Sequence, residues 1–291
     1  MTLDSRLLEG RVAVVSGGAG AIGGAICTLF AAHGADVVVA DIDLDRTRAV
    51  AADIRAMGRK SLGVVTDLRR RQGVDKLVRE TMKRFGRADV VINGLGHHLA
   101  TGGPFEDSTE AQWQALYEVN LLHVFRVTQA FVPGMKERGW GRIVNFSSVE
   151  GVRSAPALAV YAAFKRAVDG FTKSLAVDLA RHGILVNALG VDKTKAHQVG
   201  FYELPSEYER LVGTFIPAGR YAEGIDVAKA ALFLASDLNT WVVGHTLIAD
   251  GGTLSAGGWY RTPKRWTNQP LLTQYIEDDP AINEARPPMV Q

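Results

Sequence analysis

A tyrosine and a lysine lie four residues apart near the end of the segment SSVEGVRSAPALAVYAAFK, which spans residues 147–165. Residues at this spacing share one face of a helix, so Tyr161 and Lys165 can lie side by side. A phenol next to an ammonium group can exchange a proton with the oxygen of a bound substrate. The same spacing also occurs by chance in helices that only pack. A cofactor site that faces the pair would favour the chemical interpretation.

A glycine-rich segment, VVSGGAGAIGGAI, follows the first predicted strand and opens the first predicted helix. Within it, Gly18, Gly20 and Gly23 fit the pattern G-x-G-x-x-G. Because glycine has no side chain, backbone amides and the helix N-terminus can approach a pyrophosphate group there. The alternative interpretation is a tight turn between strand and helix that binds no ligand.

An aspartate closes the second predicted strand, DVVVADID, where Asp41 lies 18 residues after Gly23. A carboxylate at that point can accept hydrogen bonds from an adenosine ribose, and it would repel a ribose 2′-phosphate. No arginine or lysine lies in the glycine-rich segment to offset the repulsion. We therefore predict NAD(H) rather than NADP(H) as the cofactor. The alternative is that Asp41 is a solvated turn residue.

Short apolar segments rich in valine and isoleucine alternate with stretches of helical periodicity, and seven of them read as strands: RVAVVS, DVVVAD, LGVVT, ADVVINGL, GRIVNFSS, GILVNALG and HTLIAD. Several are apolar on both faces, which is typical of a parallel sheet covered by helices on each side. The pattern predicts an α/β fold, a Rossmann-type doubly wound parallel sheet of about seven strands.

Helix-end signals accompany this alternation. Gly34 and Gly58 each follow a helical stretch as C-cap residues. Thr109 and Gln112 have capping-box spacing at the start of a long predicted helix. Because no linker-like composition interrupts the alternation, we predict one cofactor-binding catalytic domain over residues 1–254. We expect the C-terminal extension, residues 255–291, to pack on a neighbouring subunit or over the active site.

The composition limits the classes of partner. The chain has 291 residues, 47% of them hydrophobic, with a formal net charge of +2 and no basic stripe, which argues against a nucleic-acid binder. The single cysteine, Cys27, excludes an intrachain disulfide and a cysteine-rich metal site, and it suits a reducing compartment. We see neither a secretion signal nor a membrane span. We expect a soluble, cytoplasmic protein without a metal, a membrane or a nucleic acid as partner.

From Gly10 to Gly252 the chain resembles the short-chain dehydrogenase/reductase family. The family motif T-G-x-x-x-G-x-G is similar to residues 16–23, where Ser16 and Ala21 are departures. In the family, the residue that matches Asp67 contacts the adenine edge. The resemblance implies cofactor contacts from the segments that follow the first four strands, at Gly17, Ala21, Ile22, Gly23, Asp41, Asp67, Leu68, Asn93 and Gly94.

The resemblance also implies a catalytic tetrad. Ser148 lies 13 residues before Tyr161, and Tyr161 to Lys165 is the family's Y-x-x-x-K motif. In the family, the tyrosine is the general acid or base, and the lysine lowers the pKa of that tyrosine and binds the nicotinamide ribose. The serine that matches Ser148 binds the substrate oxygen, and the asparagine that matches Asn120 holds a water molecule. Ser147 is expected only to support the strand end.

Two segments depart from the family pattern. Asn93 begins NGLG where the family usually reads N-N-A-G, and Val191 and Asp192 replace a Pro-Gly pair after the sixth strand. By position, Thr194 would offer its backbone amide to the nicotinamide carboxamide. The second loop is either a variant of the family turn, or Asp192 or Lys193 reaches the substrate.

Three features lie outside these motifs. His97 and His98 follow NGLG, and we interpret them as two exposed loop residues rather than a proton relay or a metal pair, since no third ligand has suitable spacing. Four aromatic residues form either an apolar substrate wall or helix packing, namely Phe201, Tyr202, Tyr208 and Phe215. The C-terminal extension offers three aromatic anchors, Trp259, Tyr260 and Trp266.

The leading hypothesis is an oxidoreductase that transfers a hydride between NAD(H) and a secondary alcohol or ketone, with a largely apolar substrate. One alternative is a nucleotide-binding protein of this fold with little or no turnover. The other is an NADP(H)-dependent ketone reductase. The family resemblance further implies a homo-oligomer, a tetramer formed through the long helices over 109–136 and 159–181.

Overall fold

The computed structural model describes residues 6–99, 101–153, 155–195, 212–258, 260–261 and 266–267. Its centre is a parallel sheet in the order β3-β2-β1-β4-β5-β6-β7. The seven strands are β1 (Val12–Ser16), β2 (Asp36–Asp41), β3 (Ser61–Val65), β4 (Val90–Asn93), β5 (Gly141–Ser148), β6 (Ile184–Val191) and β7 (Thr246–Ala249). All seven predicted strands and the doubly wound α/β fold are confirmed.

Helices cover both faces of this sheet. In chain order they are α1 (Ala21–Ala32), α2 (Leu44–Ala56), α3 (Arg71–Phe85), α4 (Glu110–Tyr117), α5 (His123–Arg138), α6 (Ala159–Ala180), α7 (Gly224–Ala235) and α8 (Thr253–Ala256). One apolar core joins the sheet to α1, α2 and α7, and a second joins it to α3, α5 and α6. Successive strand residues alternate between the two cores, as Val14 and Val15 do, so each strand must be apolar on both faces.

The predicted helix ends agree with the structure. Gly34 and Gly58 both adopt positive φ angles, of 94° and 80°, after α1 and α2. The side chains of Thr109 and Gln112 form the predicted capping box at the start of α4. The long helix predicted from residue 109, however, is not continuous. A five-residue π turn, Glu118–Leu122, separates α4 from α5.

Because all seven strands are parallel, their carboxyl ends lie at one edge of the sheet. The strand order reverses between β1 and β4, which is where a doubly wound sheet opens a crevice for a ligand. Beyond β7, the short strands β8 (Tyr260–Arg261) and β9 (Trp266–Thr267) pair antiparallel. Among the described residues, no helix is both long and apolar enough to cross a membrane.

Candidate active site

The glycine-rich segment forms a tight turn between β1 and α1. Gly17 has a φ angle of 69°, in the region that favours glycine, and a Cβ atom at Gly23 would overlap the carbonyl oxygen of Gly17. Gly20 is the N-cap of α1 and no side chain caps this helix, so the first backbone N–H groups, at Ala21 and Ile22, point out of the helix end. This cradle fits the phosphate groups of a dinucleotide, which those amides would bind.

Asp41 lies at the end of β2 and closes the glycine-rich turn. Its Oδ2 accepts a hydrogen bond from Ala19 N at 3.1 Å, and its Oδ1 accepts one from Ile42 N at 2.7 Å. The carboxylate is half-buried. Two backbone amides, one in the glycine-rich turn and one after β2, therefore fix a negative charge beside the cradle.

Asp67 and Leu68, in the segment after β3, have different environments. The carboxylate of Asp67 accepts two hydrogen bonds from the guanidinium group of Arg69, each of 2.9 Å, and this contact lowers the pKa of Asp67 below its ordinary value. Leu68 is buried in the core under α3. Its side chain is therefore unable to touch a cofactor, and only its backbone remains available for the predicted contact.

Asn93 and Gly94, at the end of β4, brace the centre of the sheet. The buried Asn93 side chain donates hydrogen bonds to Thr128 Oγ1 at 3.0 Å and to Asn145 Oδ1 at 2.8 Å. Gly94 N donates to Ser16 Oγ at 3.0 Å, and a Cβ atom at Gly94 would lie 2.8 Å from the carbonyl oxygen of Ser16. The close approach of β1 explains why this chain has glycine at the second position of NGLG.

The serine pair at the end of β5 divides into two roles. Ser147 donates its hydroxyl to the Lys165 carbonyl oxygen at 3.2 Å, so it ties the strand to α6. Ser148 accepts a hydrogen bond from Glu150 N at 3.2 Å, donates its hydroxyl to the Val191 carbonyl oxygen at 3.4 Å, and lies near enough to Tyr161 to lower the pKa of that phenol. The structure therefore brings Ser148, and not Ser147, to the phenol.

Lys165 is only 3% exposed, one helical turn from Tyr161, and its Nζ lies 5.8 Å from the centroid of the tyrosine ring. The ammonium group donates a hydrogen bond to the Phe146 carbonyl oxygen at 2.9 Å. Burial lowers the pKa of Lys165 from 10.5 to about 8, against the opposing charge of Asp169. The lysine is thus poised to lose or hold its proton close to neutral pH.

The surroundings of Tyr161 raise the pKa of its phenol. Burial raises it above its ordinary value, the neighbouring Ser148 hydroxyl opposes this rise, and the charge of Glu150 adds to it. Lys165 is not among the groups that shift this pKa, so the expectation that the lysine lowers it stays a prediction. The phenol is therefore protonated at neutral pH.

Asn120 lies in the π turn between α4 and α5, and its side chain is committed to the loop after β4. Its Nδ2 donates to the His97 carbonyl oxygen at 2.9 Å, while its Oδ1 accepts from His97 N at 3.1 Å. A Cβ atom at Gly96 would lie 2.6 Å from Lys165 Nζ and 3.2 Å from Asn120 Oδ1. Gly96 thus lets the loop pass next to both residues, a role that its position in NGLG could have suggested.

The two loop histidines are organised rather than exposed. Both are half-buried, their rings stack with centroids 4.8 Å apart, and the His98 ring meets the Tyr161 ring edge-on at 6.4 Å. The interpretation of two exposed loop residues is therefore wrong. Of the described residues, no three His, Cys, Asp or Glu side chains form a group that could hold a metal ion.

The altered loop after β6 is held by an ion-pair clamp. Asp192 Oδ2 accepts hydrogen bonds from Arg153 Nη2 at 3.2 Å and from Thr253 Oγ1 at 2.5 Å, and the Asp192 side chain is only 5% exposed. Arg153 also pairs with Glu150 at 3.0 Å. The interpretation in which Asp192 reaches the substrate is wrong, because its carboxylate joins the segments that follow β5, β6 and β7. No single-sequence signal marked Arg153 as its partner.

Thr194 is 8% exposed and pairs with Ala222 in an isolated parallel bridge, and its hydroxyl donates to the Asp192 carbonyl oxygen at 3.0 Å. The predicted aromatic wall falls largely outside the described residues, which include only Phe215 of its four members. Trp259 also lies outside them. A different apolar wall adjoins Tyr161 within the described residues, built from Phe105, Trp113, Leu116 and Leu158.

Comparison with known proteins gives matches over most of the chain. A family profile described as Enoyl-(Acyl carrier protein) reductase matches residues 17–253. The chain is 36% identical over 254 residues, 86% of its length and 99% of the relative's, to (2S)-[(R)-hydroxy(phenyl)methyl]succinyl-CoA dehydrogenase subunit BbsD of Thauera aromatica. It is 36% identical over 248 residues to cyclopentanol dehydrogenase of Comamonas sp., covering 83% of this chain and 96% of that protein. The solved structure of levodione reductase superposes with a TM-score of 0.80 at 29% identity, covering 86% of this chain and 99% of that one.

Proposed function

Because the chain belongs to the short-chain dehydrogenase/reductase family, whose members are oxidoreductases with a nicotinamide cofactor, we propose that it transfers a hydride between NAD(H) and a secondary alcohol or ketone. The observation that carries the proposal is the meeting of Ser148, Tyr161 and Lys165 at the carboxyl edge of the sheet, where only β4 separates the end of β5 from the glycine-rich cradle after β1. When bound, the nicotinamide ring supplies the acceptor or donor of the hydride. The residues of the chain hold the substrate and move the proton.

Tyr161 is the proton-transfer group in this proposal. Its protonated phenol suits it to donate a proton to the oxygen of a ketone, and the reverse reaction needs it to accept one. Ser148 hydrogen-bonds the substrate oxygen and stabilises the charge that develops there. Lys165 stabilises the phenolate when the proton has left, because it lies one turn away and its own proton is held with a pKa of about 8. Asn120 positions the loop that borders the lysine.

The choice of NAD(H) rests on Asp41. Its charge, held beside the cradle by Ala19 N and Ile42 N, would repel a 2′-phosphate and accept hydrogen bonds from a free ribose hydroxyl. The remaining cofactor contacts are assigned to the backbone at Leu68, Asn93, Gly94 and Thr194. They also include the cradle residues Gly17, Ala21, Ile22 and Gly23, and Tyr161 and Lys165 of α6. The carboxylate of Asp67 already forms an ion pair with Arg69, so only the part of this carboxylate that faces away from Arg69 would contact the adenine.

The substrate is proposed to be largely apolar, because Trp113, Leu116 and Leu158 line the space next to Tyr161. We place the protein in the cytoplasm as a homotetramer that pairs through α4, α5 and α6. The family resemblance supports this assembly, and Val177, on α6, is 78% exposed in the single chain. Light scattering of the purified protein tests this part, since a monomer would contradict it.

The catalytic proposal is tested by Tyr161→Phe, which removes the transferable proton and keeps the ring. We expect turnover of secondary alcohols with NAD⁺ to fall by at least ~1,000-fold while NADH still binds, as measured by fluorescence titration. Tyr117→Phe is the matched control, because Tyr117 packs against Phe164 in a neighbouring cluster away from Ser148. A Tyr161→Phe variant that keeps activity within ~10-fold of the parent would reject this role.

A further inference from the structure

We propose that His98 is a substrate-binding residue which hydrogen-bonds a second oxygen group of the substrate, a carbonyl or hydroxyl group a few bonds from the reacting carbon. The inference rests on the proposed function, because it takes the phenol of Tyr161 as the point where the reacting oxygen lies. It extends that function by assigning the substrate to the class of oxygenated alcohols and ketones rather than simple hydrocarbon alcohols.

The backbone on the N-terminal side of His98 is held rigidly. The His97 amide and carbonyl groups pair with the side chain of Asn120, at 3.1 Å and 2.9 Å. This double contact links the loop directly to the π turn between α4 and α5. The position from which His98 leaves the loop is therefore fixed by a residue of the catalytic tetrad.

Hydrogen bonds also hold the backbone on the C-terminal side of His98, at Leu99 and Thr101. Leu99 has a φ angle of 55°, which is unfavourable for a side chain of this size, and its N–H donates to His97 Nδ1 at 2.7 Å. Thr101 donates both its amide and its hydroxyl to the His98 carbonyl oxygen, at 3.1 Å and 2.7 Å. Strained backbone that is held by several side chains is characteristic of functional sites.

This loop presents the His98 ring to the catalytic tyrosine. The ring planes of His98 and Tyr161 are at 89°, with centroids 6.4 Å apart, and the stacked ring of His97 supports His98 from behind. The half-buried imidazole therefore lies beside the phenol, where it can meet a group bound next to Tyr161. A polar group this close to the proton-transfer residue can fix the orientation of a substrate.

The charge state of the imidazole defines the kind of group it would bind. Burial, His97 and the charge of Lys193 all lower the pKa of His98 below its ordinary value, so the ring is neutral at neutral pH. A neutral imidazole has one N–H donor and one acceptor nitrogen. It therefore matches a neutral carbonyl or hydroxyl oxygen, and it has no charge of its own to offer a carboxylate.

The test compares cyclohexanol with the hydroxycyclohexanones, which carry a second oxygen on the same ring. We expect the parent protein to prefer one hydroxycyclohexanone isomer by ~10-fold or more in kcat/KM, mostly through KM. His98→Phe, which keeps an aromatic ring against Tyr161, should remove this preference and leave cyclohexanol within ~3-fold of the parent. His98→Gln, which keeps a donor and an acceptor, should restore part of it.

Two results would overturn the inference: a substrate preference unchanged in His98→Phe, or an equal loss of activity on both substrates, which indicates a structural role only. Failure of the proposed function would look different, since the parent would then oxidise no alcohol in the set. Calorimetric titration of the NADH-loaded Tyr161→Phe variant, in which turnover is lost, with the hydroxycyclohexanones decides the inference from binding alone. Binding that becomes ~10-fold weaker when His98→Phe is added to Tyr161→Phe supports the inference, and binding that is unchanged or undetectable contradicts it.

Discussion

Replacing Lys165 with methionine should stabilise the protein at neutral pH and abolish its turnover. The lysine is 3% exposed, and burial lowers its pKa from 10.5 to about 8, so the folded state holds the charged ammonium less readily than the unfolded state does. Below pH 8 the ammonium is charged in both states, and folding bears the full cost of burying it. Above pH 10.5 the amine is neutral in both states, and that cost is gone. Stability due to this residue therefore rises with pH between those values.

The size of the stability difference follows from the pKa shift of Lys165. Each pKa unit corresponds to about 1.4 kcal/mol, so the lysine costs on the order of 3 kcal/mol at pH 7 and less than about 1 kcal/mol at pH 10. Methionine has a similar length and no charge, although it leaves the Phe146 carbonyl oxygen without its 2.9 Å hydrogen bond, which offsets about 1 kcal/mol. Lys165→Met should thus be more stable than the parent by about 2 kcal/mol at pH 7, an advantage that disappears by about pH 10.

Urea unfolding of parent and variant at a series of pH values measures this difference. Lys173→Met is the matched control, because Lys173 is exposed on the same helix and its replacement should change the unfolding free energy by under about 0.5 kcal/mol at any pH. If the difference in unfolding free energy between parent and Lys165→Met is the same at pH 7 and pH 10, burial of the ammonium group does not destabilise the fold. Other titrating groups, including Tyr161, are present in both proteins, so their contributions to the pH dependence cancel in the difference.

Three further predictions concern the cradle, the loop after β4 and the clamp. In the parent, kcat/KM for NAD⁺ should exceed that for NADP⁺ by at least ~10-fold, and Asp41→Asn should narrow this ratio; a parent that prefers NADP⁺ would contradict the assignment. Gly96→Ala should lower kcat by ~10-fold or more, since its Cβ would lie 2.6 Å from the lysine Nζ. Gly103→Ala is the control, because no atom lies within 4 Å of the new Cβ, and its kcat should stay within ~2-fold of the parent. Equal losses of kcat in the two variants would mean that the contact with the lysine is not the cause. Asp192→Asn should lower the unfolding free energy in urea by about 1–2 kcal/mol and raise KM for the cofactor, and unchanged stability would mean that the clamp is not formed.

The strands were predictable because a sheet covered on both sides leaves a local signature. Val14 and Val15 must each enter a different core, so the pattern is apolar without interruption over the length of a strand. The capping box of Thr109 and Gln112 is equally local, since both partners lie within one turn. The sequence alone could predict those features whose interacting residues lie within a few positions of each other.

The π turn at Glu118–Leu122 was not predictable, because its helical neighbours show the same apolar periodicity on either side. Its position depends on the contact between Asn120 and His97, which lie 23 residues apart. The clamp from Arg153 to Asp192 spans 39 residues, and the pKa of Tyr161 depends on burial by several elements. Each of these is set by packing between distant segments, which a single sequence does not display.

In the proposed reaction, a hydride passes directly from a secondary alcohol to NAD⁺ and Tyr161 accepts the proton. The most direct measurement uses an alcohol that carries deuterium on the reacting carbon and follows the label by mass spectrometry. The parent should move the deuterium onto the nicotinamide ring of the cofactor, and Tyr161→Phe should move none on the same timescale. Oxidation of the alcohol with no deuterium in the cofactor, or equal transfer by Tyr161→Phe, would contradict it.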